Sequence, residues 1–290
     1  VKKLIVNGDD FGFTKAITDA IIDCHRDGII TSTSLMSNMP FAEYAASEAK
    51  AFPRLSVGLH LNLTEGKPLT VPSKISQLVD PEGNFLNDSK QSKNLRFNRE
   101  IEEQVYREVE AQLLRALDMG LNISHFDSHH GIQKNSVVIK TIIKLHKLYG
   151  IPAARTLKGL YWTDSKAKLY FKLKRSLLNL KKFSKKHTRI FNHLIIRKNG
   201  LFTPDRMITP YYLIPRLSDP KKQFIQCLKS LPDGISELPL HPGYHDDKSI
   251  DSPAYSRIRE FEAQIARDKD VKNCIREYDI KLISFSDLQR

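Results

Sequence analysis

Residues 2–12, KKLIVNGDDFG, form a short apolar run of strand formers that passes through Asn7-Gly8 and then delivers two adjacent aspartates, Asp9 and Asp10. An apolar run of that length ending in a turn signal is the pattern of a buried strand. A helix should follow, because Ile17, Ala20, Ile21 and Cys24 recur at helical spacing and Gly28 supplies a stop. The unit then repeats. Ile29 to Met36 and Leu55 to Leu63 read as strands, and Phe41 to Lys50 as an alanine-rich helix. Arg99 to Met119 is a long amphipathic helix, Ile123 to Asp127 a strand, Val137 to Leu148 a helix and Ala153 to Thr156 a short strand. Further on come a helix near Lys221 to Ser230, the strand ISELPLH, a helix from Tyr255 to Arg267 and a last strand, KLISF. Strands and helices alternating in one run predict an α/β protein with a mainly parallel sheet.

The polar residues distinguish an open sheet from a barrel. Asp9, Asp10, His60, His129, His130 and His241 all fall at or just after the carboxyl ends of different predicted strands. Those ends converge on one face of a (β/α) barrel, so the sequence predicts an irregular barrel with fewer than eight regular units. Gly8 and Gly12 make neither GxGxxG nor a Walker loop, and no nucleotide cofactor is expected.

Two neighbouring carboxylates repel unless a cation or a shared proton offsets them, which points to a metal or an acid/base site. The plainer reading is that Asp9 or Asp10 caps the helix behind it. His60, in GLHLNL, is by itself either hydrogen-bonded core or a ligand. HFDSHHG then gathers His125, Asp127, His129 and His130 within six positions of a chain with ten histidines. Asp127 there would orient an imidazole from behind, and His130 would stand beside the ligands in the same outer role. One carboxylate and two histidines with open positions make a hydrolytic metal site. In ELPLHPGYHDD, His241 ends a strand ahead of Pro-Gly and would be either a general acid or a plain turn residue; His245, Asp246 and Asp247 read as loop.

Composition excludes several classes. The chain has 290 residues, 40% of them hydrophobic and 27% charged, with no run long enough to span a membrane. Three cysteines without CxxC spacing suggest neither a disulfide framework nor a cysteine zinc site. The opening residues turn acidic before a signal-peptide core could form, so the expectation is a soluble, cytoplasmic protein. The net charge is +13, and residues 166–198 hold 12 Lys or Arg and no Asp or Glu. One insertion at about 164–200, on an otherwise nearly neutral scaffold forming a single domain over 1–290, accounts for almost all of that excess.

NGDDFGFTKAITDAI, TSTSLMSNMP, VGLHLNLTEGKPL, HFDSHHG and ELPLHPGY occur in the order and spacing of the YdjC-like carbohydrate deacetylases, which the chain resembles over nearly its whole length outside the insertion. That family is similar to polysaccharide deacetylases, so the resemblance implies an irregular (β/α) barrel and one divalent ion, zinc or magnesium, with manganese also compatible. It implies removal of an acetyl group from N-acetylglucosamine units of an oligosaccharide or a glycolipid. Carried over residue by residue, Asp10, His60 and His129 would be the ligands, Asp9 the base and His241 the acid that protonates the departing amine. Where many members read SHHHVH, this chain has Ser128-His129-His130-Gly131-Ile132-Gln133, so the outer histidines are lost. Arg155 matches the family's strand-end arginine and is a candidate for the substrate, with Tyr244 next; Tyr161, Trp162, Tyr211 and Tyr212 are further aromatic candidates.

Leu169, Phe171, Leu173, Leu177, Leu178, Leu180 and Phe183 are interleaved with the lysines of the insertion. Such a segment either covers the barrel with its apolar face or lies on an anionic bilayer, each Lys adding about 1 kcal/mol. Bilayer contact would favour a lipid-linked aminosugar. A second class of reading is a non-catalytic metal-containing barrel whose basic segment binds a membrane surface or nucleic acid; the complete set of acidic and histidine residues weighs against it. Other amides or phosphate esters remain open as substrates, and barrels of this size commonly pair as homodimers through their outer helices.

Overall fold

The computed structural model describes residues 1–87, 90–91, 95, 98–156, 160–161, 191–208, 219–244 and 253–289. Most of the basic insertion, with Trp162, Tyr211, Tyr212, His245, Asp246 and Asp247, lies outside them, and of Tyr161 only the backbone is described. The strands are β1 (Lys2–Phe11), β2 (Ser32–Leu35), β3 (Ser56–Leu61), β4 (Ile123–Ser128), β5 (Ala153–Ala154), β6 (Leu160–Tyr161), β7 (Arg206–Ile208), β8 (Gly234–Leu240) and β9 (Ile280–Leu282). They form one sheet in the order β5-β4-β3-β2-β1-β8-β7-β6, with β9 also on β1. Every strand pairing among the described residues is parallel. Leu4, Ile5 and Val6 of β1 are fully buried, which is why its sequence runs apolar without alternating.

The sheet is strongly curled. β5 and β1 are four steps apart in the strand order, about 19 Å across a flat sheet. Yet the guanidinium of Arg155, just beyond β5, lies 2.6 and 2.7 Å from the Asp9 carboxylate of β1. One stretch of chain links the two sides: Phe202 pairs with Ala153, and a few residues later Arg206 and Met207 pair with Ser236 and Glu237 of β8. The result is the parallel, half-barrel α/β architecture that the convergence of polar strand ends predicts.

Helices α1 (Lys15–Arg26), α2 (Ala42–Lys50), α3 (Arg99–Asp118), α4 (Ser136–Tyr149), α5 (Pro220–Lys229), α6 (Pro253–Arg267) and α7 (Lys269–Glu277) flank the sheet. The capping reading of the double aspartate is corrected here. Thr14 caps α1, accepting from Ile17 N–H, so both carboxylates are released for the barrel interior. Among the described residues no helix is long and apolar enough to cross a membrane.

His125 belongs to the interior rather than to the site. It stacks on Phe285 at 3.6 Å, its Nδ1 lies 2.9 Å from Ser124 Oγ, and burial pushes the imidazole down to about 3, so it is neutral. Gly58 makes room for it: a Cβ there would lie 2.5 Å from both ring nitrogens. Gly58→Ala is therefore expected to cost about 3 kcal/mol by overpacking, read as a lowered urea midpoint at unchanged slope. A midpoint equal to wild type would contradict this packing.

Candidate metal and proton-transfer site

Adjacent residues of a regular strand point to opposite faces, so two neighbouring aspartates need a local irregularity to share a site. β1 has one. Gly8 pairs with Thr33 and Phe11 with Leu35, so β1 carries one more residue than β2 across this step, and Asp10 adopts φ 70°. This bulge, with its left-handed aspartate, turns both carboxylates into the barrel mouth.

Asp10, His60 and His129 come together there, each buried, with one ligand atom apiece inside a 4.8 Å span. Asp10 Oδ1 is 3.3 Å from His60 Nε2 and 3.0 Å from His129 Nδ1. The far side of His60 is fixed: its Nδ1 lies 2.7 Å from Asp127 Oδ1 and 3.1 Å from Ser34 Oγ, and Ser34 donates to Asp127 Oδ2 at 2.8 Å. Asp127 thus stands behind a ligand-type imidazole and sets which nitrogen faces inward. His130, at φ 51°, leans on His129 with ring centres 4.0 Å apart, and its Nδ1 is 3.1 Å from Thr64 Oγ1.

Asp9, His60 and Asp127 also lie close enough to hold an ion, but a guanidinium is already there. Arg155 donates through both terminal nitrogens to Asp9, lies 2.9 Å from Asp127 Oδ2, and gives its Nε–H to Glu237 at 2.6 Å. Asn7 adds a second donor to Asp9 Oδ1 at 2.8 Å. With only 7% of its side chain exposed and three carboxylates as partners, Arg155 is committed to the protein rather than to a sugar. Tyr244 is engaged by protein groups: its hydroxyl donates to Asp23 on α1, and Arg267 lies against its ring. His241 is in place, 37% exposed, with Nε2 3.8 Å from Asp9 Oδ2.

The electrostatics favour a cation. Burial raises the Asp10 carboxyl, but the charges of Arg259 and His129 and the hydrogen bonds of His129 and His60 hold it well below the usual carboxylate range. Burial lowers His60, yet Asp127 and its bonds to Asp10 and Asp127 lift it to about 10. Asp127 is likewise held low, burial being outweighed by Arg155 and His60. Glu237, buried and repelled by Asp9 and Asp127 despite its bond to Arg155, is pushed up to about 7. The anionic surroundings that favour a proton on His60 would equally favour a divalent ion in that proton's place. Two imidazole nitrogens and a carboxylate oxygen are a fitting donor set for zinc, and for magnesium or manganese if water oxygens complete the shell.

Several contributors escaped the sequence reading, Glu237 among them. Asn7 and Ser34 are small polar residues inside strands, while Arg259 and Glu262 read as charges on an ordinary amphipathic helix although both are buried. Their only sequence signal is the spacing of three that places them on one helical face.

The YdjC-like protein family model matches residues 3–277. A carbohydrate deacetylase of Thermoanaerobacter pseudethanolicus is 33% identical over 291 residues, covering all of both chains. One from Clostridium beijerinckii is 32% identical over 99% of this chain and 100% of its own. A crystal structure from Enterococcus faecalis V583, described as a cellobiose-phosphate cleavage protein, superposes with a TM-score of 0.79 at 28% identity, covering 99% of this chain and 98% of that one.

Proposed function

The chain belongs to the YdjC-like protein family, and from that premise we propose that it is a metal-dependent carbohydrate deacetylase that removes the N-acetyl group from an N-acetylglucosamine-type sugar. The observation that carries the reading is the buried Asp10–His60–His129 cluster, with a carboxylate and an imidazole, Asp9 and His241, flanking it. The relatives named carbohydrate deacetylase support the substrate class.

Asp10, His60 and His129 would hold the ion, which when bound would supply Lewis-acid polarisation of the acetamide carbonyl and an acidified water. Asp9 accepts the proton of the attacking water. Arg155 and Asn7 hold that carboxylate in a single orientation, with Oδ2 toward His241. His241, half-exposed at the mouth, donates a proton to the sugar nitrogen as the C–N bond breaks, and acetate and the free amine leave.

Two features support a substrate presented at an anionic surface, a glycolipid rather than a free oligosaccharide. β6 ends at Tyr161 on the strand-end side of the sheet. Where the described chain resumes, Asn192 donates to the Lys134 carbonyl at 3.0 Å and His193 Nδ1 lies 3.1 Å from Thr156 Oγ1, beside Arg155. The described end of the basic stretch, with His193 against Thr156, thus lies beside Arg155, and peripheral contact of that stretch with a bilayer would present the sugar to the site.

The test is acetate release from chitobiose, longer chito-oligosaccharides and an N-acetylglucosaminyl lipid by metal-stripped protein reloaded with zinc, magnesium or manganese. Metal-dependent release is expected, and His241→Ala should lower kcat by about 10²–10³-fold with KM little changed. A folded, metal-loaded protein that releases no acetate from any of them would overturn the reading.

A further inference from the structure

We propose that helix α6 organises both halves of the site, Arg259 fixing the orientation of Asp10 and Glu262 that of His241, so that both are positioning residues. They stand one helical turn apart, with 1% and 2% of their surface exposed. A buried arginine and glutamate on one helix face are uncommon unless specific partners hold them. Here the partners are the two parts of the candidate machinery.

Arg259 donates to Asp10 Oδ2. That leaves Oδ1 as the oxygen turned to His60 and His129, 3.3 and 3.0 Å away. A left-handed aspartate is strained and stays so only when its surroundings fix it; the guanidinium does so from outside the strand. The same arginine reaches the His241 carbonyl at 3.4 Å, and its own carbonyl accepts from Gly243 N–H at 3.2 Å. Glu262 accepts the His241 N–H and lies 3.8 Å from Nδ1, with Nε2 directed toward Asp9. The His241-Pro242-Gly243 turn is thus clasped by a single turn of α6. Gly243 permits the approach, since a Cβ there would lie 3.2 Å from Arg259 Cδ. A shift of this helix displaces a metal-type ligand and the proton donor together.

The kinetic arm of the test rests on the deacetylase reading; the binding arm does not. Zinc affinity is measured by competition with a chromophoric chelator for wild type, Arg259→Met and Arg259→Lys, with near-UV circular dichroism as the check on folding. Arg259→Met is expected to bind zinc about 10- to 100-fold more weakly. Should it fail to fold, Arg259→Lys, which keeps the charge and loses the fork, carries this arm with an expected loss of about 10-fold. Glu262→Ala should lower kcat about 10- to 100-fold at unchanged KM and zinc affinity, and Glu262→Gln, which keeps an acceptor for His241 N–H, should restore most of it. Wild-type zinc affinity in a folded Arg259 variant, or undiminished kcat in Glu262→Ala, overturns the assignment. Zinc binding by wild type without acetate release overturns the deacetylase reading instead and leaves the Arg259 arm decisive.

Discussion

Replacing Asp10 with alanine is expected to cut metal-dependent acetate release by about 10³-fold or more, with loss of stoichiometric metal. The carboxylate is the only anionic member of the Asp10–His60–His129 cluster. Without it the two imidazoles lose the oxygen that both face, and the buried positive charge of Arg259 loses the carboxylate oxygen it donates to. Since that charge also threatens folding, Asp10→Asn runs beside it; the amide keeps the shape and an acceptor but not the anion. Asp9→Asn provides the contrast. It should retain metal while losing a comparable share of turnover, because its carboxylate is bound to Arg155 rather than to the histidines. Full turnover in a metal-free, folded Asp10→Ala protein would move the chemistry away from this cluster altogether.

The largest effect on stability is expected from Arg155→Met. One guanidinium offsets Asp9, Asp127 and Glu237, all three buried. Removing one partner from a buried ion pair costs about 3–5 kcal/mol, because the charges left behind are neither hydrated nor paired. For a chain of this size that is a fall in melting temperature of roughly 10 °C. Glu237→Gln in the same protein should recover part of it by withdrawing one carboxylate from the network. A melting temperature within about 3 °C of wild type would mean that the network is hydrated and that Arg155 is not its counter-charge.

The sequence makes the metal-type residues readable because their chemistry is conspicuous where it sits: a double aspartate and paired histidines at the ends of apolar strands have few other uses. It also makes the alternation readable, down to Arg99–Asp118 and Pro220–Lys229, because each helix is long enough for its period to show. β6 and β7, of two and three residues, are too short to carry any pattern, and α7, only nine residues long, went unread between the helix ending at Arg267 and the last strand. Arg155 illustrates a different limit. Its position was legible but its role was not, since whether an arginine at a strand end faces substrate or protein depends on which carboxylates the curl of the sheet brings opposite it. Nor could HFDSHHG reveal that His125 would turn away to Phe285, for that depends on the side-chain-free space at Gly58, far off in the sequence.

The central place of β1 has a consequence for biosynthesis. It pairs with β2 on one side, but β8 and β9, its other neighbours, lie more than 230 residues further along. Parallel pairings of such sequence separation form slowly, since the loop they close must be ordered first. The Asp9–Asp10 segment thus leaves the ribosome long before the strand that flanks it and the helix that carries Arg259, and its apolar edge needs shielding in the interval. A nascent chain halted after α4 would hold every metal-type ligand, and Asp127 and Ser34 behind His60, and still lack the Arg259 that donates to Asp10.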